Sequence, residues 1–130
     1  SVIGLALGDG VGGPWHEQKA PFEPREDLWD NWHLSPGPLL TTDKEMPVMF
    51  YNGAREDARW RIGWIAFDRD YTKVVDRCIE PLITPPPPKD RGDTDIAFAA
   101  SCVAVNDEIS HLYFSRADKA LFRAIIRRTA

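Results

Sequence analysis

Eleven prolines divide this chain of 130 residues, and nearly all of them stand in connections rather than within apolar runs. A proline lacks a backbone donor and clashes with the preceding helical turn, so this distribution fits a helical bundle poorly. Between the connections lie short runs with strand character: Val2 to Leu7, Pro47 to Tyr51, Arg61 to Phe67, Thr72 to Cys78, Ile96 to Val105, Ile109 to Phe114 and Leu121 to Ile126. One segment, Ala117 to Arg128, holds Ala, Leu, Arg and Ile that also tolerate helix, so helix competes with strand there. Gly8 to Pro14 and Pro21 to Asp30 read as loops. Pro85 to Pro88 reads as a stiff extended stretch leading into the polar Lys89 to Thr94. The expectation is an all-β fold with long loops.

The runs also recur. VIGLALGD echoes RIGWIAFD, and YFSRADKALFRAII echoes FYNGAREDARWRIGWIA. Ile3-Gly4, Ile62-Gly63 and Phe122-Arg123 start equivalent runs, and Tyr51 to Ala54 corresponds to Phe114 to Ala117, each step being roughly 60 positions. A fixed period of this size marks stacked or radial repeats. About four strands per period suit the four-stranded antiparallel blade of a β-propeller. The expected organisation is a single domain over 1–130, with two blade-like repeats at about 1–68 and 69–130 behind a leading strand. Propellers close with roughly 4 to 8 blades, so two blades leave open edges that invite pairing. Self-association, or missing N-terminal blades, follows as an expectation.

The net charge of −4, with both signs mixed along the chain, argues against a nucleic-acid or anionic-membrane surface, which needs a basic excess. No apolar run approaches the ~20 residues of a membrane-spanning helix. The opening VIGLAL is too short for a secretory leader and lacks a basic flank, which points to the cytoplasm. Cys78 and Cys102 have no metal-type spacing and read as reduced thiols. His16 and His111 show no partner spacing, and no metal or other cofactor is expected. Gly8 to Gly13 matches G-x-G-x-x-G by letters, but Pro14-Trp15-His16 follows where a dinucleotide site needs a helix. Arg91-Gly92-Asp93 reads as an ordinary loop. Five tryptophans serve either as core anchors or as sugar-stacking platforms.

The order YNGA, RWRIGWIAFD, TKVVDRCIEPLITPP, DIAFAASCVAV and EISHLYFSRADKALFRAIIRR resembles the C-terminal part of glycoside hydrolase family 130. Ile3-Gly4-Leu5-Ala6 with Asp9-Gly10 and Trp15, Pro24-Arg25 with Trp29-Asp30, and Pro36-Gly37-Pro38-Leu39 fit the same family, so the resemblance covers almost the whole chain. The family holds β-mannoside phosphorylases and β-mannosidases on a five-bladed propeller. The resemblance therefore implies a partial five-bladed propeller, a β-mannoside as ligand and, in a phosphorylase, inorganic phosphate as co-substrate. It implies that Tyr51, Asn52, Asp95, Phe98 and Asp118 face the propeller centre. Asp118 would bind sugar hydroxyls and Phe98 a sugar face. The His33 loop would reach the pocket, and Arg55, Arg59 and Arg61 would hold phosphate through charge-assisted hydrogen bonds. From the residues alone, Asp118 reads equally as a turn carboxylate, Phe98 as strand packing, His33 as a surface histidine and the three arginines as a solvated hairpin tip.

The chain departs from the family where chemistry is concerned. Glycosidic cleavage needs an acid at the leaving oxygen. The family's proton donor lies in a Glu-Asp-Pro-Arg segment that is absent here, and Pro24-Arg25-Glu26-Asp27 has those letters in another order. Tyr51-Asn52-Gly53 stands where many members have Tyr-His-Gly, and Gly8 where Ser-type chemistry is usual. No catalytic residue is therefore assigned. The sequence reads as the C-terminal part of a family 130-like glycosidase or phosphorylase, inactive as this chain alone. The alternative is a non-catalytic propeller module that binds carbohydrate weakly or acts as an oligomeric scaffold.

Overall fold

The computed structural model describes residues 1–87 and 95–129. Pro88, the polar stretch to Thr94 and Arg91-Gly92-Asp93 lie outside the described residues. Among the described residues every regular element is a strand. Ala117 to Arg128, where helix competed, forms a hairpin turn and a strand.

Strands β1 (Leu5–Gly8) and β2 (Trp15–Gln18) form an exposed two-stranded ribbon. A first sheet follows. Here β3 (His33–Ser35) and β4 (Leu39–Leu40) both pair with β5 (Val48–Ala54), β5 pairs with β6 (Arg61–Phe67), and β6 with β7 (Val74–Arg77), all antiparallel. The second sheet has the order β8 (Ala97–Ala104), β9 (Ile109–Arg116), β10 (Ala120–Arg127), again antiparallel. The expected boundary at 68/69 thus falls inside the first sheet, because β7 completes it. The sheets divide between Arg77 and Ala97.

Local sequence explains the break between β3 and β4. Neither Pro36 nor Pro38 has an N–H to donate to a continuous ladder, and between them Gly37 passes directly over β5. A Cβ on Gly37 would sit 1.7 Å from the Phe50 carbonyl oxygen, so only glycine fits. The ladder resumes as the Phe50 amide donates to the Pro38 carbonyl at 3.0 Å.

Strands β5 and β6 read as near-continuous apolar runs because both faces of this sheet are covered. One face holds Met49, Tyr51, Ile65 and Phe67 beneath Ile3, Phe22 and Trp29 of the N-terminal segment. The other holds Phe50 and Ile62 against Ala97, Ala99, Leu112 and Phe114 of the second sheet. The Trp29 indole lies flat enough on β6 that a Cβ on Gly63 would be 2.6 Å from it. The second sheet alternates instead, since only one of its faces is covered. Its far face carries Val103, Leu121 and Ile125 exposed to solvent.

The recurrence in sequence is the recurrence of the β5–β6 and β9–β10 hairpins. Tyr51 pairs with Gly63, and Phe114 pairs with Phe122. Tyr51 lies on the first sheet's face turned away from the second, and Phe114 on the second sheet's face turned toward the first. These faces correspond in stacked blades, so Gly63 matches Phe122. The sequence alignment of Ile62 with Phe122 slips by one residue, which in a strand exchanges the faces. Ile3-Gly4 precedes β1 and belongs to neither hairpin.

Candidate functional site

The start of β3, the β5–β6 hairpin, the start of β8 and the β9–β10 hairpin all lie at one end of the two sheets, as the pairing registers require. This end gathers His33, Arg55, Arg59, Arg61, Asp95, Phe98 and Asp118.

The centre of the group is Asp95. Arg61 binds it twice: Nη2 donates to Asp95 Oδ2 at 3.0 Å, and Nη1 donates to the Asp95 carbonyl at 2.7 Å. Arg61 Nη1 also donates to the Trp60 carbonyl at 3.1 Å, which accepts the Ala97 amide as well at 2.9 Å. One guanidinium thereby ties the first turn of β6 to the approach to β8. Arg59 Nη1 stands farther off, 3.9 Å from Asp95 Oδ2, on a side chain that is 61% exposed. The Asp95 side chain is 11% exposed, yet its Oδ1 is buried without a hydrogen-bond partner among the described residues. A buried carboxylate oxygen left unpaired is costly, and a ligand donor is one remedy.

At the same end of the sheets runs a line of rings. Trp60 and Phe98 meet edge to face with centroids 5.2 Å apart, and His33 tilts against Trp60 at 5.7 Å. Asp118 sits in the turn between β9 and β10. Ala117 and Asp118 both have φ of 54°, and the Lys119 amide donates to the Arg116 carbonyl at 3.0 Å, which makes a type I′ hairpin turn. The Asp118 side chain is exposed there, and the Ala117 amide donates to the Ile96 carbonyl at 3.0 Å, holding the turn next to the approach to β8.

Two expected residues do not reach this end. Tyr51 and Asn52 are fully buried. Asn52 Oδ1 accepts the Ala99 amide at 2.7 Å, and its Nδ2 donates to the Pro36 carbonyl at 3.4 Å, so the side chain clips β5 to β8. Tyr51 points the other way and donates its hydroxyl to Asp30 Oδ2 at 2.6 Å. Burial, and then this hydrogen bond, push the phenol well above its ordinary range. Arg61 is likewise engaged by Asp95 and Trp60, which leaves Arg55 and Arg59 as the exposed cations of the hairpin.

Sequence reasoning missed a cluster around Asp30. This fully buried carboxylate accepts from Arg25 Nε at 3.1 Å, Arg25 Nη2 at 2.8 Å, Arg77 Nη2 at 2.7 Å and the Tyr51 hydroxyl. Arg77 also lies over the rings of Phe22 and Tyr51. The arrangement fastens the N-terminal segment to the first sheet. A cavity of about 350 Å³ opens at the opposite end of the sheets, lined by Leu40, Met46, Phe50, Trp64 and Ile126 among others, and contains none of the expected site residues. No group of His, Cys, Asp and Glu among the described residues is placed to hold a metal ion.

No family model and no curated protein sequence matches the chain. Solved structures do. A β-1,2-mannobiose phosphorylase from Listeria innocua, in complex with β-1,2-mannobiose, superposes with a TM-score of 0.74 at 22% identity, over 88% of this chain and 32% of that one. A glycosyl hydrolase from Bacteroides ovatus gives 0.74 at 23% identity, over 99% and 41%. A member of glycoside hydrolase family 130 described as targeting β-1,2-mannosidic linkages in Candida mannan gives 0.75 at 22% identity, over 99% and 42%. The chain has the fold of family 130. Its two blade-like sheets correspond to part of the propeller of these carbohydrate-active proteins, and the chain spans well under half the length of each.

Proposed function

We propose that this chain is the part of a family 130-like propeller that binds a β-mannoside at the end carrying His33, Asp95, Phe98 and Asp118. The observation that carries the reading is Asp95 Oδ1, a buried carboxylate oxygen with no partner among the described residues, at the same end of the sheets as half-buried rings. A sugar hydroxyl supplies the missing donor, and a ring supplies the apolar contact. The ligands named for the solved relatives, β-1,2-mannobiose and β-1,2-mannosides, fit this pairing of hydroxyls with apolar faces.

Binding and catalysis separate here. An inverting phosphorolysis needs one carboxylic acid at the leaving oxygen, with phosphate as the attacking group. The Glu-Asp-Pro-Arg segment that would provide the acid is absent, and Asp95 is already engaged by Arg61. The chain binds but does not cleave. If phosphate enters, Arg55 and Arg59 are the cations exposed to meet it. The test is incubation of purified chain with β-1,2-mannobiose, with and without inorganic phosphate. The expected result is binding without release of mannose or mannose 1-phosphate. Release at enzyme-like rates contradicts the reading.

A scaffold role is favoured by one separate observation: Val103, Leu121 and Ile125 lie exposed together on the second sheet, whose strand β10 pairs with β9 alone among the described residues. Light scattering separates the readings, since a scaffold gives a stable dimer or larger species and the sugar-binding module alone does not require one.

A further inference from the structure

We infer that the cavity at the end of the sheets away from Asp95 is a second binding site, which takes an arylalkyl ammonium: an aromatic ring system bearing an N–H or O–H, with an amine on a short chain. The inference stands apart from the carbohydrate reading, because the cavity is lined by none of the residues assigned to the sugar. Side-chain alternation explains why the space exists. Val48 and Phe50 of β5 and Trp64 and Ala66 of β6 share the face turned to the second sheet, Phe50 paired with Trp64 and Val48 with Ala66. Strand β9 turns Ser110, Leu112 and Phe114 toward them. Leu112 and Phe114 fill their part of the gap. Ala66 and Ser110 are small, and at their end the sheets leave a cavity of about 350 Å³. An apolar cavity of about 150 Å³ takes benzene, so this one has room for two fused rings and a short chain.

Three features of the cavity specify its occupant. Its walls are apolar and partly aromatic, with Phe50 on the first sheet facing Ile126 on the second, which suits a flat ring system. Its one deeply buried polar side chain among the described residues is Ser110, 3% exposed. The Ser110 hydroxyl makes no hydrogen bond among the described residues, although its strand position turns it to the cavity. A hydroxyl has acceptor capacity, and leaving it unused in a buried setting is costly. A ring N–H or O–H supplies the missing donor. The mouth carries exposed carboxylates from both walls, Asp76 on β7 and Asp107 and Glu108 in the turn before β9. None of the three has an ion-pair partner among the described residues. Arg128 is drawn to Asp43 at 3.7 Å, which leaves Arg127 as the single uncommitted cation of the lining against three carboxylates. The mouth therefore attracts a positive substituent and repels a negative one.

The test titrates the whole chain with tryptamine, indole and indole-3-propionate, which share one ring system and differ in charge. Amide, Trp64 indole and Met46 methyl signals are followed by NMR. The expected shifts are confined to Phe50, Trp64, Ser110, Ile126 and their neighbours. Tryptamine should bind about threefold to fivefold more tightly than indole, in keeping with exposed charges, and indole-3-propionate more weakly than either. Ser110→Ala should weaken all three by about fivefold, the worth of one hydrogen bond. Asp76→Asn combined with Glu108→Gln should bring tryptamine down to the affinity of indole. Ala66→Leu should fill the space and abolish binding. Because overpacking can unfold a core, Met46→Trp, at a half-buried position in the connection before β5, serves as a second blocking variant. No shifts at millimolar ligand, shifts only at other places, or binding that survives both blocking variants overturns the site. Equal affinity for the three probes, or a preference for the propionate, overturns the ammonium assignment. Unchanged binding in S110A overturns the ring donor.

Discussion

Asp30 and Asp95 are both carboxylates held by arginine, yet they are finished differently. Asp30 is completely buried and accepts from two guanidinium groups and a phenol, with both oxygens engaged. Asp95 is 11% exposed and, among the described residues, is bound closely by Arg61 alone and keeps one oxygen without a partner. The first lies under the N-terminal segment on a closed face of the sheet. The second lies where the hairpins and the start of β8 converge. Satisfied polar networks rigidify a core, whereas an unsatisfied group has capacity left for something that arrives later. The contrast separates a fastening from a binding site within one small molecule.

Substitution of Asp30 should give the largest effect. Asp30→Asn leaves two arginines facing an amide in a buried setting, and removing one partner of a buried ion pair costs about 3–5 kcal/mol. Chemical denaturation checks this, and a loss below about 1 kcal/mol would erase the distinction drawn between the two carboxylates. Tyr51→Phe removes the hydroxyl bonded to Asp30 but leaves both arginines, with an expected loss of about 1.5–3 kcal/mol on the same measurement.

The alkaline pH dependence sharpens the same side of the comparison. Folding holds the Tyr51 phenol above its ordinary value of 10.0, through burial first and the Asp30 hydrogen bond second. The folded state therefore favours the protonated phenol. This contribution is whole below pH 10 and is lost as pH rises from there toward the folded value. Wild-type stability should fall by about 1.4 kcal/mol per pH unit above pH 10 from this group, and Y51F should lack that component. Parallel slopes for the two proteins would contradict it. Asp95→Asn stands last in stability. One partner, Arg59, is largely exposed and distant, and the pair with Arg61 sits at the molecule's edge. The side chains of Arg61 and Asp95 are 16% and 11% exposed, so the expected loss is about 1–2 kcal/mol, below that of the fully buried Asp30, while sugar affinity falls at least tenfold.

The strands that form this fold were legible because long apolar runs between prolines have few other uses. Arg61 to Phe67 is β6 to the residue, and Ile96 to Val105 overshoots β8 by one residue at each end. Strands β3 and β4 were not legible, because they are short and broken by Pro36-Gly37-Pro38. Their pairing depends on β5, which lies later in the chain. The site was legible in part. Asp95, Phe98, Asp118 and His33 come together, but Tyr51 and Asn52 turn inward, since alternate residues of β5 face opposite covered sides. Asp30 was not legible as a cluster because, apart from Arg25 five residues before it, its partners Tyr51 and Arg77 are far along the chain. Arg61 looked like part of a charged hairpin tip, and only its position as the first residue of β6 turns it toward Asp95.

The most direct test of the account is an amide and indole NMR titration of the chain with β-1,2-mannobiose. The account predicts shifts concentrated at His33, Arg59 to Arg61, Asp95 to Phe98 and the Ala117-Asp118 turn, with the Trp60 indole moving most among the five tryptophans. Shifts confined to the cavity around Leu40, Trp64 and Ile126, or no shifts at millimolar sugar, would contradict it.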